Sequence, residues 1–184
     1  PAPRQRSSST YSPAGWQDQM VRRGCSSESR RSPSRNYSAR CYWNAARGRV
    51  GLFYLETPAN PTNALVDLKA VVTAIDAFER KHGYRPISAC DNTMLGPIFQ
   101  HPIREGIDLS VYSLTKYVGG HSDLVAGGVT GRKDLVGKLR LLRGAFGSQL
   151  DPHSSWMIAR SMETLVLRMR RAAATGSRVA HWLA

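Results

Sequence analysis

The stretch ISACDNTMLGPIFQHPIREGIDLSVYSLTK, residues 87–116, predicts the fold class of this 184-residue chain. Two short apolar runs, at 87–91 and 108–113, have the length of buried strands, and polar residues follow each of them at once. The segment between them has a short helical pattern at 97–104 that ends near Gly106. A strand, a helix and a second strand in this order indicate a parallel strand pair in an α/β sheet.

The sequence on both sides of this stretch continues the alternation of strands and helices. VGLFYLE at 50–56 predicts an earlier strand, and Asp67 is a suitable N-cap for a helix that ends just before Gly83. LVAGGVTG at 124–131 predicts a fourth strand, and the pattern at 133–143 predicts a further helix. We therefore expect an α/β domain with a largely parallel sheet and flanking helices.

A longer helix is predicted after Asp151 and Pro152, running to about Arg171. Apolar residues at helical spacing predict that one face of it is buried, namely Trp156, Ala159, Met162, Leu165 and Met169. Three arginines near its end are interpreted as a solvated or subunit-facing cluster, namely Arg168, Arg170 and Arg171.

Residues 1–48 have a different composition from the rest of the chain. Residues 1–50 contain ten Arg, no Lys and two acidic residues, so they carry +8 of the net charge of +13. Their apolar residues show no helical or strand period, which predicts a disordered or non-homologous segment. A functionless tail, a basic tail that touches nucleic acid, and a segment that is not a natural coding product are the alternatives. Because most of the excess charge lies in this segment, a nucleic-acid-binding domain is not expected.

Composition and spacing argue against several other classes of protein. No apolar run reaches the roughly 18 residues that a membrane helix needs. The three cysteines are scattered and form no CxxC pair, so we expect a reduced, cytoplasmic protein without a disulfide scaffold. No metal-ligand spacing is present, and no metal site is predicted.

Polar side chains follow three of the predicted strands at the edge where α/β sheets bind ligands. Asn60 follows the first strand, Asp91 ends the second, and Ser113 ends the third, with Thr115 and Lys116 directly after it. A lysine at a strand end is either a surface residue or an amine that forms a Schiff base with a carbonyl. Pyridoxal 5'-phosphate (PLP) requires a lysine for its aldehyde, a carboxylate for its pyridine nitrogen, and donors for its phosphate. Residues of all three kinds occur here.

Three runs of the sequence carry a resemblance to a known family. LETPANPTN at 55–63, the run from DNTMLG to VAGGV at 91–129, and LDPHSSWMIARSMETLVLRMRRA at 150–172 resemble the Cys/Met-metabolism family of PLP-dependent enzymes. The resemblance covers about residues 51–184. It implies that 49–184 is part of the large domain of a fold-type I PLP-dependent enzyme, ending in a helix that leads to a C-terminal domain. The implied activity is that of a lyase or transferase of trans-sulfuration.

The resemblance also implies a role for each candidate residue. Lys116 would bond the cofactor aldehyde and move protons between substrate carbons, and Asp91 would pair with the pyridine nitrogen. Ser113 and Thr115 would donate hydroxyl hydrogen bonds to the phosphate. We expect these two side chains to lie on one side of an extended chain, with Lys116 pointing elsewhere. Asn60 would lie near the cofactor's O3' and the substrate carboxylate.

The implied substrate is a sulfur-containing or homoserine-derived amino acid, and the implied assembly is a homodimer or homotetramer. Some groups of the family have no counterpart in this sequence, namely a tyrosine that stacks on PLP, a glycine-containing phosphate turn and an arginine for the substrate carboxylate. The chain is therefore expected to be the middle of an enzyme, with weakened cofactor affinity. The alternative is a catalytically inactive remnant of the fold whose basic tail binds nucleic acid non-specifically.

Overall fold

The computed structural model describes residues 50–184, so the predictions made for residues 1–48 lie outside the described part. Four strands form one sheet in sequence order: β1 (Leu52–Glu56), β2 (Ile87–Asp91), β3 (Leu109–Ser113) and β4 (Gly127–Gly131). Strands β1, β2 and β3 are parallel to one another, and β4 is antiparallel to β3. The predicted α/β class with a largely parallel sheet is confirmed.

Helical segments lie between β1, β2 and β3, and three helices follow β4 in the C-terminal part of the chain. The helices are α1 (Leu68–His82), α2 (Gly96–Phe99), α3 (Lys133–Phe146), α4 (Pro152–Met162) and α5 (Leu165–Leu183). A single 3₁₀ turn at Pro102–Glu105 follows α2, so the short helix expected at 97–104 is two separate turns. In the described range no helix is both long and apolar enough to cross a membrane. The same range contains no cluster of three or more His, Cys, Asp or Glu side chains that could hold a metal ion.

Helix α1 has the termini that its sequence predicts. The Asp67 carboxylate accepts hydrogen bonds from the backbone N–H groups of Lys69 and Ala70 and satisfies donors that a helix start leaves free. Gly83 ends the helix in the left-handed conformation at φ 75°. The buried side chains recur at helical spacing along one face of α1, namely Leu68, Val71, Ile75 and Phe78.

Strand β4 is shorter than the predicted strand at 124–131 and begins only at Gly127. It pairs with β3 from Ser113 opposite Gly127 to Leu109 opposite Gly131. Gly131 has φ 152°, and a Cβ atom there would lie 2.2 Å from the Asp108 carbonyl oxygen. Glycine therefore allows the close approach of the two backbones at this point.

The single long helix predicted after residue 151 is wrong, because the structure has two helices with a break at Glu163 and Thr164. The predicted buried face is also wrong in part, since Trp156, Ala159 and Met162 are exposed. The buried residues of α4 and α5 are Ile158, Ser161, Leu165 and Met169. Three of these pack with Val118 and Leu124 in one apolar cluster, namely Ile158, Leu165 and Met169. The cluster, and not the most apolar stripe, determines which face is buried.

Candidate functional site

The carboxyl ends of the parallel strands bring two of the candidate residues to one edge of the sheet. Glu56 is the register partner of Asp91, and Asp91 is the partner of Val111 on β3. Ser113 lies two residues beyond Val111 and ends β3. Asp91 and Ser113 therefore lie on neighbouring strands at the edge where open α/β sheets bind ligands.

A chain of hydrogen bonds connects Asp91 to Ser113 through Thr93. The Asp91 Oδ1 atom accepts from the Thr93 amide at 3.0 Å, and the Thr93 hydroxyl oxygen accepts from the Ser113 amide at 2.7 Å. The Tyr54 hydroxyl on β1 donates to Asp91 Oδ2 at 3.3 Å. Both oxygens of this half-buried carboxylate thus hold a partner, which orients the group.

Lys116 lies in a single π-helical turn at Leu114–Val118 that follows β3 directly. The turn is closed by the Gly119 amide, which donates to the Leu114 carbonyl at 2.8 Å. The expectation of an extended chain through Ser113 and Thr115 is therefore wrong. At Lys116 the helical path is interrupted, with φ −86° and ψ −119°.

The hydroxyl groups of Thr115 and Ser113 differ in what they contact. The Thr115 hydroxyl accepts from the Ala126 amide at 2.9 Å and donates to the Ala126 carbonyl at 3.3 Å. The Thr115 amide also donates to that carbonyl at 3.2 Å. Thr115 therefore connects the turn at Leu114–Val118, here called the lysine turn, to the chain before β4. The Ser113 hydroxyl makes no hydrogen bond within residues 50–184, so it can donate to a ligand.

The Lys116 side chain is exposed, and within the described range it makes no hydrogen bond or ion pair. It borders an open cleft of about 970 Å³ together with Thr115, Ser154 and Arg168. Asp91, Ser113 and Asn60 do not line this cleft. Lys116 thus lines the cleft, and in sequence it follows Ser113, at the edge of the sheet, by three residues.

Asn60 lies at an exposed turn between β1 and α1. The turn is closed by the Asn63 amide, which donates to the Ala59 carbonyl at 2.7 Å. No hydrogen bond in residues 50–184 joins Asn60 to any other candidate residue. Within the described residues, hydrogen bonds therefore do not connect Asn60 to the Asp91–Thr93–Ser113 chain.

Asn92 is adjacent to Asp91 but has a different role. It is fully buried, and its amide nitrogen donates to the Gly96 carbonyl at 2.9 Å and to the Gln100 carbonyl at 3.0 Å. Its amide oxygen accepts from Gln100 Nε2 at 2.9 Å. Asn92 therefore holds the chain that follows β2 and is not available to a ligand.

Arg168 corrects the interpretation of the three arginines near the end of the chain. Arg170 and Arg171 are exposed, as a solvated cluster would be, but Arg168 is half-buried. Its guanidinium donates to the backbone carbonyls of Tyr117 and Val118, directly after Lys116. The position of Arg168 one residue before the buried Met169 is the one signal in the sequence that could have indicated this.

Two side chains near Asp91 have raised pKa values. Burial raises the pKa of the Cys90 thiol to about 12, and the negative charge of Asp91 adds to this effect. Cys90 is fully buried in β2, where it forms part of the core. Burial, followed by the charge of Asp91 and its hydrogen bond, also raises the pKa of Tyr54. Tyr54 therefore stays protonated and acts as a donor.

The chemistry of these side chains fits the groups of PLP. An exposed amine without an internal partner can condense with an aldehyde, and an oriented carboxylate can accept a hydrogen bond from a protonated pyridine nitrogen. A hydroxyl without a partner can donate to a phosphate oxygen. Lys116, Asp91 and Ser113 supply one of each at or directly after the ends of β2 and β3.

The family model described as Cys/Met metabolism PLP-dependent enzyme matches residues 35–184. Cystathionine beta-lyase MetC of Staphylococcus haemolyticus is 37% identical over 140 residues, which cover 76% of this chain and 34% of the relative. L-methionine gamma-lyase of Brevibacterium sandarakinum is 39% identical over 141 residues, covering 77% of this chain and 34% of the relative. The chain thus spans about a third of the length of these relatives.

The fold is also similar to that of a solved relative. The crystal structure of cystathionine gamma-lyase from yeast superposes with a TM-score of 0.67 at 36% sequence identity. The match covers 73% of this chain and 34% of that structure. The sequence and the fold therefore point to the same group of proteins.

Proposed function

Because the chain belongs to the Cys/Met metabolism family of PLP-dependent enzymes, we propose that it is part of a lyase or transferase of sulfur amino-acid metabolism. The proposed reaction is an elimination or replacement at the side chain of a sulfur-containing or homoserine-derived amino acid. The observation that carries the proposal is the position of Lys116, an exposed amine in the turn directly after β3, next to the edge that holds Asp91 and Ser113.

The proposed roles follow from the chemistry of each group. Bound PLP supplies an electron sink for the negative charge that develops at the substrate Cα. Lys116 would hold the cofactor through its aldehyde, and its amine would move protons between Cα and Cβ of the substrate. The Asp91 carboxylate keeps the pyridine nitrogen protonated, since an adjacent negative charge favours the cationic form.

The remaining candidate residues bind and orient. Ser113 and Thr115 are proposed as phosphate ligands, and of the two only the Ser113 hydroxyl lacks a partner within residues 50–184. Asn60 is proposed to contact the cofactor's O3' side and the substrate carboxylate. A cytoplasmic homodimer or homotetramer is the proposed assembly. Residues 1–48 are proposed as a segment of separate character, although the family match already includes its last residues, 35–48.

The proposal is tested by locating the lysine that PLP modifies. Purified chain is incubated with PLP, reduced with borohydride and digested, and mass spectrometry then identifies the pyridoxyl-bearing peptides. We expect most of the label on Lys116 and little on Lys138, an exposed lysine of α3 that has the same chemistry without the site. Substituting Lys116→Arg keeps the charge but cannot form the bond, so the label should disappear without moving elsewhere.

The same experiment separates the proposal from its alternative. A remnant of the fold that does not bind the cofactor would label Lys116 and Lys138 to a similar extent. The Lys116→Arg variant would then lose only the label on that one lysine, and the label on Lys138 would be as strong as that on Lys116 in the wild type. That result would overturn the proposed function for this chain.

A further inference from the structure

We infer that Arg168 is a positioning residue that fixes the turn carrying Lys116. Its role for the lysine rests on the proposed function, whereas its hold on the turn does not. The Arg168 Nη1 atom donates to the Tyr117 carbonyl at 2.6 Å, and Nη2 donates to the Val118 carbonyl at 3.1 Å. These carbonyls end the lysine turn, and the last carbonyls of a helical turn have no partner within it. A guanidinium is suited to bind both at once.

The other contacts of Arg168 anchor it to the junction between α4 and α5. Nη2 donates to the Ser161 carbonyl at 2.7 Å, and Nε donates to the Thr164 hydroxyl at 3.0 Å. The guanidinium thus connects the break between two helices to the chain after Lys116. A lysine side chain has no planar fork and could not reproduce these contacts together.

Gly120 gives a second, independent observation for the same contact. A Cβ atom at Gly120 would lie 1.9 Å from Arg168 Nη1 and 2.6 Å from Cζ. The backbone at Gly120 therefore passes directly against the guanidinium. Any side chain at this position would displace Arg168 from the carbonyls of the lysine turn.

The position of the Lys116 amine depends on its backbone, because the side chain has no partner of its own in the described range. The turn contains two amide hydrogen bonds that report on its order: Gly119 to Leu114 at 2.8 Å and Gly120 to Lys116 at 2.7 Å. If Arg168 is removed, the carbonyls of Tyr117 and Val118, which precede these amides, lose their external partner. The turn should then loosen, and the amine should occupy more positions. Misplacement by about 1 Å can lower a reaction rate by about a hundredfold.

The first measurement is hydrogen–deuterium exchange of the full chain without cofactor. Arg168→Gln should exchange the amides of Gly119 and Gly120 about tenfold faster, since charged hydrogen bonds are lost. Exchange in β1 and β2 should stay unchanged. The matched control is Arg171→Gln, which removes an exposed arginine of the same helix and should change neither region.

The second measurement is the ratio of pyridoxyl label on Lys116 to label on Lys138 within one molecule. Arg168→Gln should lower this ratio about tenfold or more, and a general loosening of the fold would raise or lower both labels together. Unchanged exchange at Gly119 and Gly120 would overturn the inference. Faster exchange with an unchanged ratio would overturn the positioning of the lysine.

Gly120→Ala provides a second variant in case Arg168→Gln fails to fold. Gly83→Ala is its control, because both glycines have φ 75°, but in the described range no atom beyond the adjoining backbone lies within 4 Å of a Cβ at Gly83. Only Gly120→Ala should speed exchange in the lysine turn; equal behaviour of the two would count against the guanidinium contact. If the wild type labels both lysines equally, the proposed function fails, and exchange alone decides whether Arg168 holds the turn.

Discussion

Two hydroxyls next to Lys116 illustrate how far residue type alone determines a role. The sequence pairs Ser113 and Thr115 as equivalent donors. In the structure the Thr115 hydroxyl donates a hydrogen bond to the Ala126 carbonyl and accepts one from the Ala126 amide. The Ser113 hydroxyl has no partner in residues 50–184. Their contributions to stability and to ligand binding should therefore differ.

We predict that substitutions at these two positions affect different quantities, namely stability at Thr115 and PLP binding at Ser113. Thr115→Val should lower the free energy of unfolding by about 1 kcal/mol, because it leaves the Ala126 amide without the hydroxyl acceptor. Ser113→Ala should change stability by less than about 0.5 kcal/mol but weaken PLP binding. Urea denaturation and PLP titration measure the two quantities. Equal stability losses would show that the Thr115 contact contributes nothing.

The places of the candidate residues at strand ends were predictable from the sequence, but the contacts of their side chains were not. Lys116, Asp91 and Ser113 follow strands, and their place after strand ends could be predicted from periodicity. Tyr54 and Arg168 come from other elements, and only the folded chain brings them to Asp91 and to the lysine turn. A pairing between distant residues leaves no spacing signal in a single sequence.

At the scale of the elements, two glycines differ in whether their surroundings leave room for a side chain. Gly131 in β4 has φ 152° and lies against the Asp108 carbonyl oxygen. At Gly137 within α3, no described atom beyond the backbone of the helix itself lies within 4 Å of a Cβ position. Gly131 is required by the approach of two strands. Gly137 only lowers the helix propensity of α3.

These positions predict changes of stability with opposite signs. Gly131→Ala should destabilise the chain by about 2 kcal/mol or more, since the Cβ overlaps a backbone oxygen that cannot move without unpairing β3 and β4. Gly137→Ala should stabilise it by about 0.5–1 kcal/mol. Thermal unfolding of both variants beside the wild type measures the difference. A Gly131→Ala variant as stable as the wild type would contradict the close approach.

The elements with local signals were predictable, and those determined by packing were not. Asp67 and Gly83 specify the ends of α1, and both were found from sequence alone. The break between α4 and α5 lacks a proline or glycine, and its location follows from the contacts of Leu165 and Met169 with Val118 and Leu124. Periodicity identifies an apolar stripe but not the surface that covers it.

At the scale of the whole described chain, one buried carboxylate joins the sheet to the start of α3. Asp108 Oδ2 accepts from the Ser88 amide and hydroxyl, both at 2.8 Å, and Oδ1 accepts from Arg132 Nη1 at 3.0 Å. Burial alone would raise the pKa of Asp108, but the hydrogen bonds from Ser88 and Arg132 outweigh it and lower the pKa. The ionised form is therefore favoured more in the folded chain than in the unfolded one.

This lowered pKa predicts that stability falls in acid. A carboxylate with a folded pKa below its unfolded value of about 3.9 contributes stability above that pH, and loses it as the pH falls through the folded pKa. Wild type should exceed Asp108→Asn in urea midpoint at pH 7, and the gap should narrow below about pH 4. The control is Asp134→Asn, which removes an exposed partner of Arg132 and should open a smaller gap. A gap for Asp108→Asn that stays constant down to pH 3 would contradict the assignment.

The antiparallel strand β4 has a further consequence for the chain entropy of the lysine segment. Ser113 and Gly127 are register partners, so the thirteen residues from 114 to 126 leave the sheet and rejoin it at one point. Closing a free loop of that length costs about 2 kcal/mol in conformational entropy before any constant term. Here the β3–β4 ladder has already closed it. The two ends of the segment 114–126 are already held together. A ligand that orders Lys116 therefore reduces only the conformational entropy within this segment and does not have to close the loop.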